Sequence, residues 1–252
     1  MSADTVVFTS ASHDTGAAVA GTPCDQEKYK SGEWAYLSSG TWSLLGVELN
    51  EPNLSETVAK HNFTNEGGVF NTIRLLKNTT GFWILEECLK VWKDEDPSFN
   101  WSKIIKSAKK SSLNAKFIDI NHPDFVSPSE MLETIQLHYK EKYGAEIIGI
   151  GNISRMVFES MVISYQNLLN SIQDITQTPI KVLHVVGGGA KNGYLNQLIA
   201  NMLQIPVIAG PIEAATVGNV LMQAIGNGAV EDLTEGRKII QNSFDVKIFN
   251  PN

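Results

Sequence analysis

The sequence predicts an α/β fold with a mixed sheet and helices on its faces. Three observations carry that expectation. The last hundred residues alternate strand and helix with short connections, the rhythm of βαβ units and parallel strands. The N-terminal part instead runs through several consecutive strand-like segments joined by tight turns, which favours antiparallel pairing. No internal repeat, low-complexity segment or linker interrupts the chain, so residues 1–252 read as a single domain.

The elements follow in order. Residues 6–10 form a β-branched and aromatic run and read as a strand, ending in the small polar segment from Ala11 to Gly16. Residues 17–20 favour a helix that Gly21 and Pro23 stop. Residues 34–38 and 42–49 read as adjacent strands joined through Ser39-Gly40-Thr41. Gly67-Gly68 opens a further strand over 69–76, and Thr79-Thr80 begins a helix with Phe82, Leu85, Leu89 and Trp92 on one face. Lys103, Lys106, Lys109 and Lys110 read as a solvated helix face. Pro123 and Pro128 punctuate a connection to a helix over 129–143. Asn152 is expected to cap a long core helix whose stripe runs Ile153, Val157, Met161, Tyr165, Leu168 and Ile172. Residues 181–186 are a strand entering Gly187-Gly188-Gly189, followed by a helix from Asn192, a short strand at 206–208 and a helix over 213–225. Ala214, Ala215 and Gly218 allow that last helix a close neighbour.

Composition excludes several classes. With 42% hydrophobic residues the chain is too apolar to be disordered. Its 27 acidic against 20 basic residues, a net charge of −7, argue against a nucleic-acid partner gripped through phosphate neutralisation. No window reaches the ~18 apolar residues of a membrane span, and the first ten residues show no signal peptide. Cys24 and Cys88 are far apart and in no CxxC pattern, which suits a reducing, cytoplasmic location.

Three segments could carry chemistry. A triple glycine between strand and helix lets a ligand approach the backbone, and it is equally a tight structural turn. It is neither a phosphate-binding GKS/T loop nor a dinucleotide fingerprint, since Asn192 stands where the last glycine would be. In His13-Asp14-Thr15, a carboxylate in a polar turn can accept a hydroxyl proton, or it can cap the helix near Gly16. The loop Ser38-Ser39-Gly40-Thr41-Trp42-Ser43 can present N–H groups and hydroxyls to phosphate oxygens, or be a plain hairpin turn. His184 reads as a satisfied core histidine, and His61, His122 and His138 have no metal-ligand spacing, so no metal site is expected.

Taken in order, these segments resemble one family. Ala11-Ser-His-Asp-Thr15, Tyr36-Leu-Ser-Ser-Gly-Thr-Trp-Ser-Leu44, Thr64-Asn-Glu-Gly-Gly68, Leu76-Lys-Asn78 with Gly81-Phe-Trp83, Val185-Val-Gly-Gly-Gly189 and Ile208-Ala-Gly-Pro-Ile-Glu-Ala-Ala-Thr-Val-Gly-Asn219 are similar to the C-terminal half of rhamnulokinases, a branch of the FGGY carbohydrate kinases. The resemblance runs from about residue 6 to residue 250 and is weakest in the lysine-rich middle. It implies a ribonuclease H-like (actin-like) fold and transfer of the γ-phosphoryl of ATP, with Mg2+, to the 1-hydroxyl of L-rhamnulose. It implies Asp14 as catalytic base, with His13, Thr15 and Asn78 on the sugar. It implies Thr41, Gly187, Gly188, Gly189 and Asn192 on the nucleotide. Glu86 stands where relatives commonly place an ATP-contacting glutamine, and a carboxylate there repels phosphate unless a cation or hydroxyl pairs with it. The resemblance further implies an N-terminal domain, absent here, that carries the phosphate loop and the metal site. Alone, the chain is then expected to be inactive and to self-associate through the face that domain covers. The alternatives are another deoxy-ketose kinase, such as an L-fuculose kinase, or a non-catalytic nucleotide- or sugar-binding module.

Overall fold

The computed structural model describes residues 6–113 and 115–252. One seven-stranded mixed sheet organises it. Its strands are β1 (Trp34–Ser39), β2 (Trp42–Leu49), β3 (Thr64–Gly67), β4 (Ile73–Thr80), β5 (Val182–Val186), β6 (Val207–Ala209) and β7 (Lys247–Phe249). Their order across the sheet is β3-β4-β2-β1-β5-β6-β7. The first four strands in sequence pair antiparallel, β1 pairs parallel with β5, β5 pairs parallel with β6, and β7 returns antiparallel. The expected change of rhythm is therefore real: hairpins build one half of the sheet and βα crossovers the other.

Helices cover both faces. They are α1 (Asp14–Ala20), α2 (Glu56–Lys60), α3 (Trp83–Glu95), α4 (Trp101–Lys110), α5 (Met131–Tyr143), α6 (Ile150–Thr176), α7 (Gly193–Leu203), α8 (Ala214–Gly226) and α9 (Leu233–Ser243). Helix α6 fills the larger core, where Val157, Met161, Tyr165 and Ile172 pack with Leu45, Leu75, Leu183 and Ile199. The predicted stripe is thus a core stripe, and both methionines, Met156 and Met161, are packing residues. On the other face α1 lies against α8. A Cβ on Gly218 would fall 1.8 Å from the Ala17 carbonyl oxygen, and one on Gly21 would fall 2.4 Å from that of Ala214, so only glycines allow this approach. The lysine-rich segment is an amphipathic helix, α4, with Ile104 and Ala108 buried.

Four expectations need correction. Residues 6–10 are not a strand: β3 and β7 occupy the sheet edges, Val6 and Val7 are exposed, and Phe8 lies against Gly226. The strand expected over 69–76 is split, because Gly68 to Thr72 is a closed turn. There Gly68 N–H donates to the Thr72 carbonyl, Thr72 N–H donates to the Val69 carbonyl, and Phe70 and Asn71 take positive φ. Val69 leaves the sheet to pack with Leu221 and Leu233. Thr79 and Thr80 end β4 instead of starting a helix, because register with Ser43 and Trp42 keeps them extended. Asn152 lies inside α6, whose N-cap is Gly149 at φ 90°; the Asn152 side chain bonds the Ile148 carbonyl and the Ser111 hydroxyl.

Candidate functional site

The turns after β1 and β5, neighbouring parallel strands, build the first candidate site, at the carboxyl ends where open α/β sheets bind ligands. The Gly40-Thr41 turn is fastened to the start of α3: Phe82 N–H donates to the Gly40 carbonyl at 2.9 Å and Trp83 N–H to that of Thr41 at 3.0 Å. One turn further along α3, Glu86 Oε1 accepts the Thr41 hydroxyl at 3.2 Å. A hydroxyl of this chain therefore already pairs with the carboxylate that looked anomalous in the sequence.

The triple glycine divides its duties. Gly187 sits at φ 82°, a left-handed conformation that lets the chain leave β5. Gly189 lies against Ser39, where a Cβ would meet Oγ at 2.1 Å. Gly188 is uncrowded, and its added Cβ would meet only the Ser39 carbonyl oxygen, at 3.9 Å. A short 3-10 turn, Gly188–Lys191, then leads to Asn192, whose Oδ1 accepts the Leu195 N–H and caps α7. Asn192 thus has a structural task besides any contact with a ligand. Asn196 bonds the Gly189 and Ala190 carbonyls and ties the turn to α7.

These pieces surround one cavity of about 400 Å³, lined by Gly40, Thr41, Phe82, Glu86, Trp101, Ile105, Gly188, Lys191 and Asn192. Thr41, Glu86, Gly188 and Asn192 are brought together as the sequence suggested; Gly187 and Gly189 stand behind the wall and shape it. Sequence reasoning missed Phe82 and Trp101, whose rings meet edge-to-face at 5.3 Å, and it missed Lys191. Lys191, two residues past the triple glycine, brings a cation to this wall. A flat apolar surface, a bare backbone and an ammonium group suit a ligand with an aromatic ring and an anionic end.

The second candidate site is the start of α1. His13 caps the helix in an extended conformation. Asp14 Oδ1 accepts the Thr15 N–H at 2.7 Å and lies 2.9 Å from His13 Nδ1. His13 Nδ1 also meets the Thr15 hydroxyl. These contacts aim a well-exposed carboxylate into a hollow completed by Ala215, Thr216, Asn219 and Val220 of α8. Asn78 lines a different hollow, with Trp42, Asn121 and Lys142. Alternation along β4 nevertheless places Asn78 on the sheet face of Arg74, which approaches Gly16 of α1. Arg74 and Arg237 are buried beneath this region. Arg74 pairs with Glu66, and Arg237 pairs with Glu48 and bonds the Val19 carbonyl, which fastens α9 and α1 to β2.

Residues 35–226 match the model of the C-terminal domain of the FGGY family of carbohydrate kinases, and the chain belongs to that family. Within it, the relatives include rhamnulokinases. The chain is 39% identical over 97% of its length to the rhamnulokinase of Bacillus subtilis (strain 168) and 38% identical over 97% to that of Ligilactobacillus salivarius (strain UCC118). Each alignment covers 49% of the relative, so the chain spans about half the length of the curated relatives it matches. Among solved structures, a xylulose kinase from Rhodospirillum rubrum superposes with a TM-score of 0.66 at 15% identity, over 95% of this chain and 46% of that one. The Plasmodium falciparum glycerol kinase with ADP gives 0.63 at 15%, over 94% and 46%. That likeness shows the fold alone, the ribonuclease H-like fold anticipated from the sequence. No helix among the described residues is long and apolar enough to cross a membrane.

Proposed function

We propose that this chain is the C-terminal, nucleotide-binding half of a kinase that phosphorylates L-rhamnulose with MgATP. The observation that carries the reading is the cavity at Gly188. Two of three consecutive glycines are demanded by the fold, and the third leaves open backbone beside Lys191 and the Phe82–Trp101 pair. ATP fits that wall with its ring toward Phe82, Trp101 and Ile105 and its phosphates toward Gly188 and Lys191. Bound there, it supplies the γ-phosphoryl group.

The chain's own contribution to transfer lies at Asp14. One carboxylate oxygen is held by the Thr15 N–H and His13, Oδ2 makes no hydrogen bond among the described residues, and Asp14 lines the hollow. Oδ2 takes the proton of the sugar hydroxyl as that oxygen attacks, the role an Asp fills in other phosphoryl transfers. His13, Thr15 and Asn78 orient the sugar. Magnesium takes one or two carboxylates together with phosphate oxygens. The cavity wall offers a single carboxylate, Glu86, already engaged by Thr41, so we assign no magnesium ligand here and place that site on an N-terminal domain of the whole enzyme.

A coupled assay with MgATP and L-rhamnulose tests the reading, on this chain alone and mixed with the N-terminal half of a rhamnulokinase. Turnover is expected only from the mixture. Asp14→Asn should lower kcat about 100- to 10,000-fold while leaving ATP-analogue binding unchanged. Turnover by this chain alone at the rate of an intact sugar kinase, or full activity of Asp14→Asn in the mixture, would overturn it. L-Fuculose is the second substrate arm, and ATP binding without transfer from either sugar would identify a binding module instead.

A further inference from the structure

A second cluster lies away from both sites. His122 and Asp124 flank Pro123 at a 3-10 turn, Pro123–Phe125, and His138 projects from α5 onto it. Asp124 Oδ2 lies 2.9 Å from His138 Nε2 and 3.3 Å from His122 Nδ1. One ligand atom from each residue lies within 4.8 Å of the other two. A tetrahedral ion held at about 2.0–2.1 Å sets its ligand atoms roughly 3.4 Å apart. Two edges of such a polyhedron are therefore close to formed.

The fold presets most of this arrangement. The His138 side chain is only 13% exposed, and its ring is packed 4.8 Å from that of Phe125. Phe125 is itself buried, and its carbonyl accepts the Trp83 indole N–H at 3.0 Å. Proline fixes the backbone between His122 and Asp124. His122 is the more exposed imidazole, and its Nδ1 accepts the Asp124 N–H at 3.3 Å, a cap that a bound ion would replace.

We propose that His122, Asp124 and His138 form a binding site for a divalent transition metal of the zinc type, with water as a fourth ligand. The donor set decides the class. Two imidazole nitrogens and one carboxylate oxygen suit zinc, whereas magnesium prefers oxygen throughout. The site is therefore distinct from the magnesium requirement of phosphoryl transfer. Its effect is to staple α5 to residues 119–125. That segment holds the end of β4, through Ile120 and Asn121 to Thr80, and the start of α3, through Phe125 to Trp83. Because α3 carries Glu86 and Phe82 is its N-cap, a bound metal stiffens one wall of the Gly188 cavity.

The test uses the untagged chain freed of metal with EDTA and then dialysed. Zinc is titrated by calorimetry and Co2+ by visible absorption, for the wild type, His122→Gln, Asp124→Asn and His138→Gln. One ion per chain is expected, with affinity at least tenfold weaker in each variant. A tetrahedral Co2+ spectrum without a thiolate charge-transfer band is expected, since Cys24 and Cys88 take no part, and excess Mg2+ should not compete. Excess zinc should raise the Tm of the wild type but not of His122→Gln, whose Tm in EDTA should match the wild type because the side chain is half exposed. Absence of stoichiometric zinc binding, affinity unchanged across the variants, or a thiolate band would each overturn the proposal and leave a hydrogen-bonded cluster only.

Discussion

A methyl group added at Gly189 would lie 2.1 Å from Ser39 Oγ, but the same group at Gly188 would meet only a carbonyl oxygen at 3.9 Å. In our proposal adjacent glycines thus separate a folding requirement from a ligand requirement, and one substitution at each tells them apart. Gly189→Ala should destabilise the chain by about 1–3 kcal/mol through overpacking, seen as a lower urea midpoint. Gly188→Ala should hold its midpoint within about 0.5 kcal/mol and weaken ATP-analogue binding tenfold or more. Native binding by Gly188→Ala would remove Gly188 from the nucleotide wall. Glu86 belongs to the same scale. The glutamic acid looked out of place beside a triphosphate, and the structure pairs it with Thr41 and puts Lys191 in the same wall. Neither neighbour is visible from spacing, because the three residues come from three separate elements.

At the scale of the element, β5 shows what burial does to a titratable group. His184 is fully buried with an edge-on contact to Trp34, and neither ring nitrogen has a hydrogen-bond partner among the described residues. The expectation of a core histidine is right, but not of a satisfied one. Desolvation, reinforced by the nearby Arg237 cation, pushes its pKa down to about 3 from an ordinary 6.5. The unfolded chain therefore takes up a proton below pH 6.5 that the folded chain refuses. Stability from keeping His184 neutral is complete above pH 6.5 and is lost as pH falls from 6.5 toward 3. At pH 5 the loss is about 2 kcal/mol. Urea unfolding at pH 7.5 and 5.0 measures it, and His184→Leu should shrink the drop by that amount. An equal drop in the variant would place the acid sensitivity elsewhere.

Over the whole molecule, the governing fact is that the chain matches half of each rhamnulokinase. In our proposal an N-terminal domain faces the Asp14 hollow and the Gly188 cavity together, which explains why these two cavities share no residue within this chain. Trp42, next to Thr41, is 52% exposed, and Val220, on the rim of the Asp14 hollow, is 60% exposed. Val220 at the Asp14 hollow and Trp42 at the hollow of Asn78 are apolar side chains of the kind a covered face leaves bare when it stands alone. In sedimentation velocity the isolated chain should self-associate as concentration rises, and adding the N-terminal half should suppress it. A sedimentation coefficient independent of concentration would count against a covered face.

The hydrophobic periods and turn signals were enough to determine the class of fold and the long core helix α6, and the small residues of α8 marked it for a close neighbour without saying which. Each of these is written locally, as a stripe, a run of small residues or a glycine turn, whereas four residues of the Gly188 cavity came from the family resemblance. The edge strands β3 and β7 and helix α9 escaped notice, since they are short or weakly patterned and owe their form to the strands and buried arginines they meet. The same holds for Lys191, for the Phe82–Trp101 pair and for the meeting of His122, Asp124 and His138. Sequence periodicity reports which face of an element is buried. Which side chains meet across elements is decided by packing, and there the tertiary structure alone has the information.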